Sequence, residues 1–325
     1  MGTGQKPIVV VGSINLDLVA HADHIPVAGE TVQGSGFQMH PGGKGANQAV
    51  AVARLGYPVH VIGKLGSDAA GQQLRAHLES AGVGLEHVGQ VQGASGVAMI
   101  VVADDGDNCI VVTPGANADV TPGFVDLHAD MIRNAGVVLT QFEIPIETVQ
   151  HVANLCFQHQ IPLILDPAPA QPIPEDLLKR VTWFTPNETE AAFYVRHALH
   201  GDPGDRPCVL AQQLLAQGPA GVLLKMGAQG ACIATDQIEE QLAAIKVNAI
   251  DTTAAGDAFN GAFAVGLLLG KSPVESARFA IAAAALSVTR AGAQPSMPVL
   301  REVEELLETS VEHTQSNFMT QDLHR

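Results

Sequence analysis

The run Asp-Thr-Thr-Ala-Ala-Gly-Asp-Ala-Phe-Asn-Gly at residues 251–261 joins two carboxylates and several small residues to the start of an apolar stretch, residues 254–269. A stretch of that length and character reads as a helix. A helix N-terminus presents backbone N–H groups that lack intrahelical partners and carries a partial positive charge. Ala254, Ala255 and Gly256 have too little side chain to keep an anion away from those amides, which suits the segment to holding a phosphate. Asp257 would then stand beside the anion that it helps to process. An acid in the first turn of a helix also has a plain structural use, complementing the helix dipole. A second acid, Asp251, and the flexible Ala-Ala-Gly run in the same short segment weigh toward chemistry.

Four other segments offer polar groups or bare backbone. Gly12-Ser13-Ile14-Asn15-Leu16-Asp17 follows an apolar run, and the alternation of an extended chain puts Asn15 and Asp17 on one side. One amide and one carboxylate suit a polyhydroxy ligand, although the pair taken alone reads better as loop residues capping their own backbone. Pro41-Gly42-Gly43-Lys44-Gly45-Ala46-Asn47-Gln48-Ala49 leads into a helix, with three glycines exposing the main chain and Lys44 and Asn47 on successive faces. Here function and structure weigh about evenly. In Thr185-Pro186-Asn187-Glu188-Thr189-Glu190, Asn187 and Glu190 share a face of a first helical turn. They form either a helix cap or part of a water network around Mg²⁺, which favours few carboxylates and retained waters. Lys225-Met226-Gly227-Ala228-Gln229-Gly230 ends an apolar run as a nucleotide-covering loop would, though such a spacing of glycines is usually a hairpin turn.

These segments need a scaffold that gathers loops at one edge. Apolar runs at 8–11, 59–62, 137–139, 162–165, 181–184 and 221–224 alternate with helical stretches at 45–55, 71–81, 146–158 and 189–196, which predicts an α/β fold with a parallel sheet. Open sheets of this kind bind ligands at the C-terminal ends of their strands. Residues 16–40 and 96–113 break the pattern and read as antiparallel strands, the second pair folding back at Asp104-Asp105-Gly106-Asp107. A small sheet inserted over a site is a lid. Residues 201–207 read as a surface loop, and the chain from residue 312 onward as a polar, frayed tail.

Composition bounds the functions. The 325 residues are 46% hydrophobic, enough for a full core, and carry a formal charge of −16. Nucleic acid and anionic membranes attract clustered Lys and Arg, so neither is an expected partner. Cys109, Cys156, Cys208 and Cys232 lack any Cys-x-x-Cys pair and are expected to be reduced core thiols of a cytoplasmic protein. The first apolar run is too short for a signal peptide. No Gly-x-Gly-x-x-Gly occurs, Gly270-Lys271-Ser272 follows Gly266 too closely for a phosphate loop and reads as a helix end, and the pairs His21/His24 and His197/His200 lack a third metal ligand.

Taken in order, these motifs resemble the PfkB-type carbohydrate kinases over about residues 8–298, joined by Pro-Gly-Ala-Asn at 114–117, Asp-Pro-Ala-Pro-Ala at 166–170 and Thr-Arg-Ala-Gly-Ala-Gln-Pro-Ser at 289–296. The 251–257 pattern marks the wider family; Asn15, Asp17 and residues 42–47 point to its ribokinase-like branch. The resemblance implies a ribokinase-like three-layer sandwich with a central mostly parallel sheet and a small antiparallel sheet as lid, one kinase domain over residues 1–311. It implies an ATP-dependent transfer to the O5 hydroxyl of D-ribose. Asn15, Asp17, Gly43, Lys44, Gly45, Ala46, Asn47 and Glu143 would bind the sugar, and Asp257 would be the base over an anion hole of Ala254, Ala255 and Gly256. Asn187, Lys225, Met226, Gly227, Ala228, Gln229, Gly230 and Gly256 would contact ATP, with Glu190 ordering Mg²⁺ through water. Asp251, Thr253, Ser287, Arg290, Gly292 and Ser296 would surround an activating K⁺. Ala258 and Lys225 depart from the pattern, which commonly has Thr at both. The lid edges would pair in a homodimer. A kinase for another sugar or a nucleoside, and a non-catalytic sugar-binding regulator, are the competing expectations.

Overall fold

The computed structural model describes residues 5–199 and 206–321, the side chains of 197–199 and 311–321 excepted. The strands are β1 (Ile8–Val11), β2 (Asn15–Ala22), β3 (Gly36–Gly42), β4 (Val59–Gly66), β5 (Val88–Val91), β6 (Gly96–Ala103), β7 (Asn108–Thr113), β8 (Val137–Gln141), β9 (Leu163–Asp166), β10 (Trp183–Phe184), β11 (Gly221–Lys225), β12 (Ala231–Thr235) and β13 (Glu239–Leu242). The helices are α1 (Lys44–Arg54), α2 (Ala69–Ser80), α3 (Pro122–Asp126), α4 (Ala129–Arg133), α5 (Ile146–Gln158), α6 (Glu188–Leu199), α7 (Pro207–Leu215), α8 (Ala255–Leu268), α9 (Pro273–Ser287) and α10 (Leu300–Gln321).

Nine strands form the large sheet in the order β13-β12-β11-β10-β9-β8-β1-β4-β5. From β11 to β5 all neighbours run parallel; β12 and β13 add an antiparallel edge. β1 is apolar at every position, and β8 and β9 are apolar up to their C-terminal ends, because helices cover both faces. Alternate residues of β1 show the division: Ile8 and Val10 pack with α1, α8 and α9 through Val50, Phe263 and Phe279. Val9 and Val11 pack the other way, with Val152 of α5, Val195 of α6 and Leu214 of α7. The result is the expected three-layer sandwich. All six apolar runs singled out in the sequence contribute strands to it, and the four helical stretches fall on α1, α2, α5 and α6.

The four-stranded sheet has the order β3-β2-β6-β7. The β2–β3 and β6–β7 pairs are antiparallel, as expected, but the seam between the two hairpins, β2–β6, is parallel, with Asn15 opposite Gly96. Each hairpin leaves the large sheet from the same edge, so their first strands travel in the same direction. The two-residue period of β2 then sorts the faces. Asn15 and Asp17 point to one side, while Leu18 stands on the other, in a row with Met39, Met99 and Val111. Met39, Met99 and Val111 are exposed, as is Phe37 one row along.

The cysteine expectation fails at three of its four positions. Cys208 and Cys232 are bonded to each other, because α7 lies on β12 with their Cα atoms 5.6 Å apart. Twenty-four residues separate them, so spacing gave no sign. Cys109 is exposed on β7, and only Cys156 is a buried free thiol. Gly270, at φ 79°, does end α8, and Ser272 caps α9 reciprocally with Glu275, so that segment is the helix boundary it read as. The side chain of His197, His200 and residues 201–205 of the expected surface loop lie outside the described residues; helix α10 runs through the polar end as far as Gln321. No described helix is long and apolar enough to cross a membrane.

Candidate active site

Asp257 sits in the first turn of α8 and is 4% exposed. Its two oxygens are held by different amides of α1: Asn47 Nδ2 donates to Oδ2 at 3.0 Å and Gln48 Nε2 to Oδ1 at 3.1 Å. Those amides are themselves fixed. Gln294 Nε2 donates to Asn47 Oδ1 at 3.0 Å, and Gln141 Nε2 donates to Gln48 Oε1 at 2.6 Å. Burial pushes the Asp257 carboxyl up to about 6; Lys44 pulls it down, Asp166 pushes it up, and the Asn47 and Gln48 hydrogen bonds oppose the rise. A carboxylate tuned upward in this way is a better proton acceptor than a solvated one.

The sugar-side residues predicted from sequence converge on this acid. Asp17 from the lid lies against Gly42, where an added Cβ would meet Asp17 Oδ2 at 2.1 Å, so only glycine leaves room for the carboxylate. Burial, reinforced by Glu143 and Asp257 and opposed by Lys44, raises the Asp17 carboxyl to about 7. Gly43, at φ 86°, starts α1 and passes so close to the Asn15 N–H that a Cβ would come within 2.7 Å of it. Asn15 Oδ1 accepts from Asn117 Nδ2 at 2.7 Å. Glu143 Oε2 accepts from Ser13 Oγ at 2.5 Å and from the Lys44 N–H at 3.0 Å. Burial disfavours the Lys44 ammonium, but Asp257, Asp166, Glu143 and Glu190 outweigh it and raise its affinity for the proton. The backbones of Gly45 and Ala46 donate to Ser13 Oγ and to the Ser13 carbonyl, locking the turn into α1 onto β1.

On the other side of α8 lies a cleft of about 600 Å³. Lys225, Gly227, Ala228, Gly230, Ala255 and Gly256 line it, as do residues the sequence did not single out, notably Ile245, Val247, Phe259 and Ile281. Met226 is buried beneath the loop and Gln229 is exposed above it. The loop is also the β11–β12 hairpin, the plain structural reading of its glycines. Ala254 takes φ 58°, a left-handed conformation that costs a residue with a Cβ roughly 1–2 kcal/mol, and this turns the chain into the helix. The Ala255 and Asp257 N–H groups donate within that turn, to the Thr252 and Ala254 carbonyls. Gly256 lies between them on the cleft wall.

Asn187 and Glu190 form a reciprocal cap: each side chain accepts from the other's N–H at 2.8 Å. Burial raises the Glu190 carboxyl, while the Lys225 ammonium lowers it and Asp166 raises it, so Glu190 faces the same centre. Asp166, to which no role was assigned, is 2% exposed and bridges the halves: its Oδ2 accepts from Gln48 Nε2 at 3.0 Å and its Oδ1 pairs with Lys225 Nζ at 2.8 Å.

Of the predicted cation-site residues, hydrogen bonds join Asp251 to Thr253 and to Gly292. The Ile250 and Asp251 N–H groups both donate to the Val288 carbonyl, and Gly292 N–H donates to Asp251 Oδ2 at 2.7 Å. Asp251 Oδ1 accepts from the Thr253 N–H and hydroxyl. Burial would raise the Asp251 carboxyl, but these hydrogen bonds outweigh it and hold it below the usual range. Ser287 and Ser296 donate their hydroxyl protons to the Ala284 and Ala293 carbonyls. The Arg290 guanidinium is turned away onto Glu302, at 2.5 Å, so only its backbone could serve.

A three-layer α/β sandwich with a sheet lid, a buried acid at a helix N-terminus and a nucleotide-sized cleft behind it define a small-molecule kinase. The model of the pfkB family carbohydrate kinases matches residues 5–300, and the chain belongs to that family. It is 44% identical to the ribokinase of Bacillus subtilis over 304 residues, 93% of this chain and 100% of that one. Among solved structures, the ribokinase of Thermotoga maritima superposes with a TM-score of 0.87 at 38% identity, covering 93% of this chain and 99% of that chain. The Arabidopsis thaliana ribokinase complexed with ribose and ATP superposes with a TM-score of 0.86, also at 38% identity and with the same coverage.

Proposed function

We propose that this chain is a cytoplasmic ATP:D-ribose 5-phosphotransferase, moving the γ-phosphoryl group of ATP to the O5 hydroxyl of D-ribose. The observation that carries the reading is the position of Asp257. One residue earlier, Gly256 lines the nucleotide cleft, while the Asp257 carboxylate shares the sugar side with Asn47 and Lys44. A hydroxyl bound there meets a base on one side and a phosphoryl group on the other. Asp257 accepts the proton of the attacking hydroxyl, and the α8 N-terminus at Gly256 receives the charge spreading over the phosphoryl oxygens. Asn15, Asp17, Lys44, Asn47 and Glu143 hold the sugar hydroxyls, with the backbone of Gly43, Gly45 and Ala46 shaping the pocket floor.

Mg²⁺ fits the donor set at Glu190 and Asn187 only through water and phosphate, since no described cluster of three or more His, Cys, Asp or Glu side chains is arranged to hold a metal directly. It would neutralise phosphate charge. K⁺ fits the loops around Asp251, where a charged carboxylate, the Ser296 and Ser287 oxygens and the backbone carbonyls of Thr253, Arg290 and Gly292 offer the hard oxygen ligands it favours. The exposed row Met39, Met99 and Val111, with Phe37, is the surface we assign to a homodimer closed through the lids. A coupled ADP-release assay across pentoses, hexoses and nucleosides tests the function: D-ribose should give the highest kcat/KM, and a nucleoside or hexose preference would replace the reading with another kinase of the family.

A further inference from the structure

Lys225 stands at the end of β11, and its ammonium is largely buried, with a side chain 13% exposed. Two observations fix where that charge lies. Nζ is 2.8 Å from Asp166 Oδ1, and a methyl group built on Gly256 would be 3.5 Å from the same Nζ. The ammonium therefore hangs over the first turn of α8, on the wall of the cleft that Lys225 and Gly256 both line. Asp166 is in turn tied to Asp257 through Gln48, whose Nε2 donates at 3.0 Å to Asp166 and at 3.1 Å to Asp257. One bridging carboxylate thus holds the cation on the nucleotide side and the base on the sugar side.

The charge of the site makes that cation significant. Asp17, Glu143, Asp166, Glu190 and Asp257 all face this centre, and Lys44, whose backbone N–H is held by Glu143, serves the sugar side. The cleft itself is lined by two lysines, Lys225 and Lys246, and by no carboxylate, and Lys225 is the one whose ammonium lies beside the helix N-terminus at Gly256. An ammonium is a compact point charge well matched to a phosphoryl oxygen.

Building on the kinase reading above, we propose that Lys225 is a catalytic residue: on nucleotide binding its ammonium leaves Asp166 for a non-bridging oxygen of the γ-phosphoryl group and stays with it through transfer. In the step, the O5–P bond forms as the bond between the γ-phosphorus and the β–γ bridging oxygen breaks. The electron pair of that bond leaves on ADP and the hydroxyl proton goes to Asp257. Lys225 neither gains nor loses a proton; it offsets charge that is largest on the oxygens in flight. Asp166 serves as the resting partner that keeps the ammonium aimed at the helix end.

Lys225→Met should lower kcat by on the order of 10²–10³, the usual cost of removing one oxyanion donor, with little change in the KM for sugar. Because that variant leaves Asp166 buried and unpaired, the deciding protein is the Asp166→Asn/Lys225→Met double variant, in which no charge is stranded. If Lys225 contacts the phosphoryl group, the double variant stays as slow as Lys225→Met and Lys225→Arg recovers part of the loss. Should the double variant regain a kcat within a few-fold of the unaltered enzyme, Lys225 merely neutralises Asp166 and the proposal is overturned. Calorimetric binding without sugar gives an independent arm: Lys225→Met should weaken ATP at least tenfold more than ADP, and equal losses for both would also overturn it. This arm does not depend on which sugar is the acceptor, so an error in the ribose assignment would show in the sugar panel and leave the nucleotide result standing.

Discussion

Asn47 Nδ2 donates to Asp257 Oδ2 across 210 positions of sequence, so the second turn-forming segment of the chain and the last large helix pair meet at one carboxylate. With Gln48 on the other oxygen, both oxygens of the acid are held by amides of α1. Orientation of this carboxylate is thus a property of α1, the helix that the glycine turn at Gly42 and Gly43 launches.

Replacing Asp257 by Asn preserves shape and removes the carboxylate we propose as the base. Turnover should fall by ~10²–10⁴ while sugar binding, measured by calorimetry, stays nearly intact. A variant with near-normal turnover would take Asp257 out of the chemistry.

The raised carboxyls set a pH dependence. Asp257, at about 6, and Asp17, at about 7, are both required as carboxylates, so kcat/KM should fall steeply as pH drops below 7, with a limiting slope above one. For stability the sign is reversed. Each folded-state value lies above that of an unfolded chain, so the ligand-free protein loses stability as pH rises from about 4 through about 7. Asp17→Asn cannot ionise there, and its melting temperature should exceed that of the parent at pH 8 but not at pH 4, as scanning calorimetry at the two values would show.

Much of this was legible because some residue types have few uses. Gly42 and Gly43 stand where side chains would strike Asp17 and the Asn15 backbone, and such crowding leaves its mark as a glycine pair in the sequence. The parallel sheet was legible from apolar runs that only strands covered on both faces require. Asp166, Gln48, Asn117 and Gln294 were not, because a single polar residue in a strand end or helix acquires meaning only from its partner across the fold. The cleft walls from Ile245, Val247 and Ile281 are ordinary apolar residues until folded around a void. Cys208 and Cys232 met for the same reason, through packing of α7 on β12 that spacing does not encode.

Monovalent cations should matter. The loops of Asp251 and Gly292 are joined directly behind the anion turn, so an ion bound between them shapes the amide at Gly256. Rates in K⁺ are expected to exceed those in tetramethylammonium several-fold at equal ionic strength. Identical rates in the two buffers would remove the cation from the site.

Asp17 should dominate sugar choice. We expect it to accept from two neighbouring ribose hydroxyls, each hydrogen bond to a charged group contributing about 1.5–3 kcal/mol. Asp17→Ala should therefore cost ~10²–10⁴ in kcat/KM for D-ribose, at ~1.4 kcal/mol per decade. The parent enzyme should also favour ribose over 2-deoxyribose, and that gap should narrow in the variant. An unchanged preference in Asp17→Ala would assign the diol to another residue.

The most direct test of the whole account is the position of the new phosphate. In the proposed reaction Asp257 and the helix end at Gly256 serve the hydroxyl that reaches between them, and a ribose anchored through its ring hydroxyls by Asp17 and Asn15 would present O5 there. A two-dimensional ¹H–³¹P correlation spectrum of the product made from D-ribose and ATP reads this in one measurement. The account predicts phosphorus coupled to the two C5 protons and the appearance of ADP in equal amount; coupling to the anomeric proton, or ADP with inorganic phosphate alone, would contradict it.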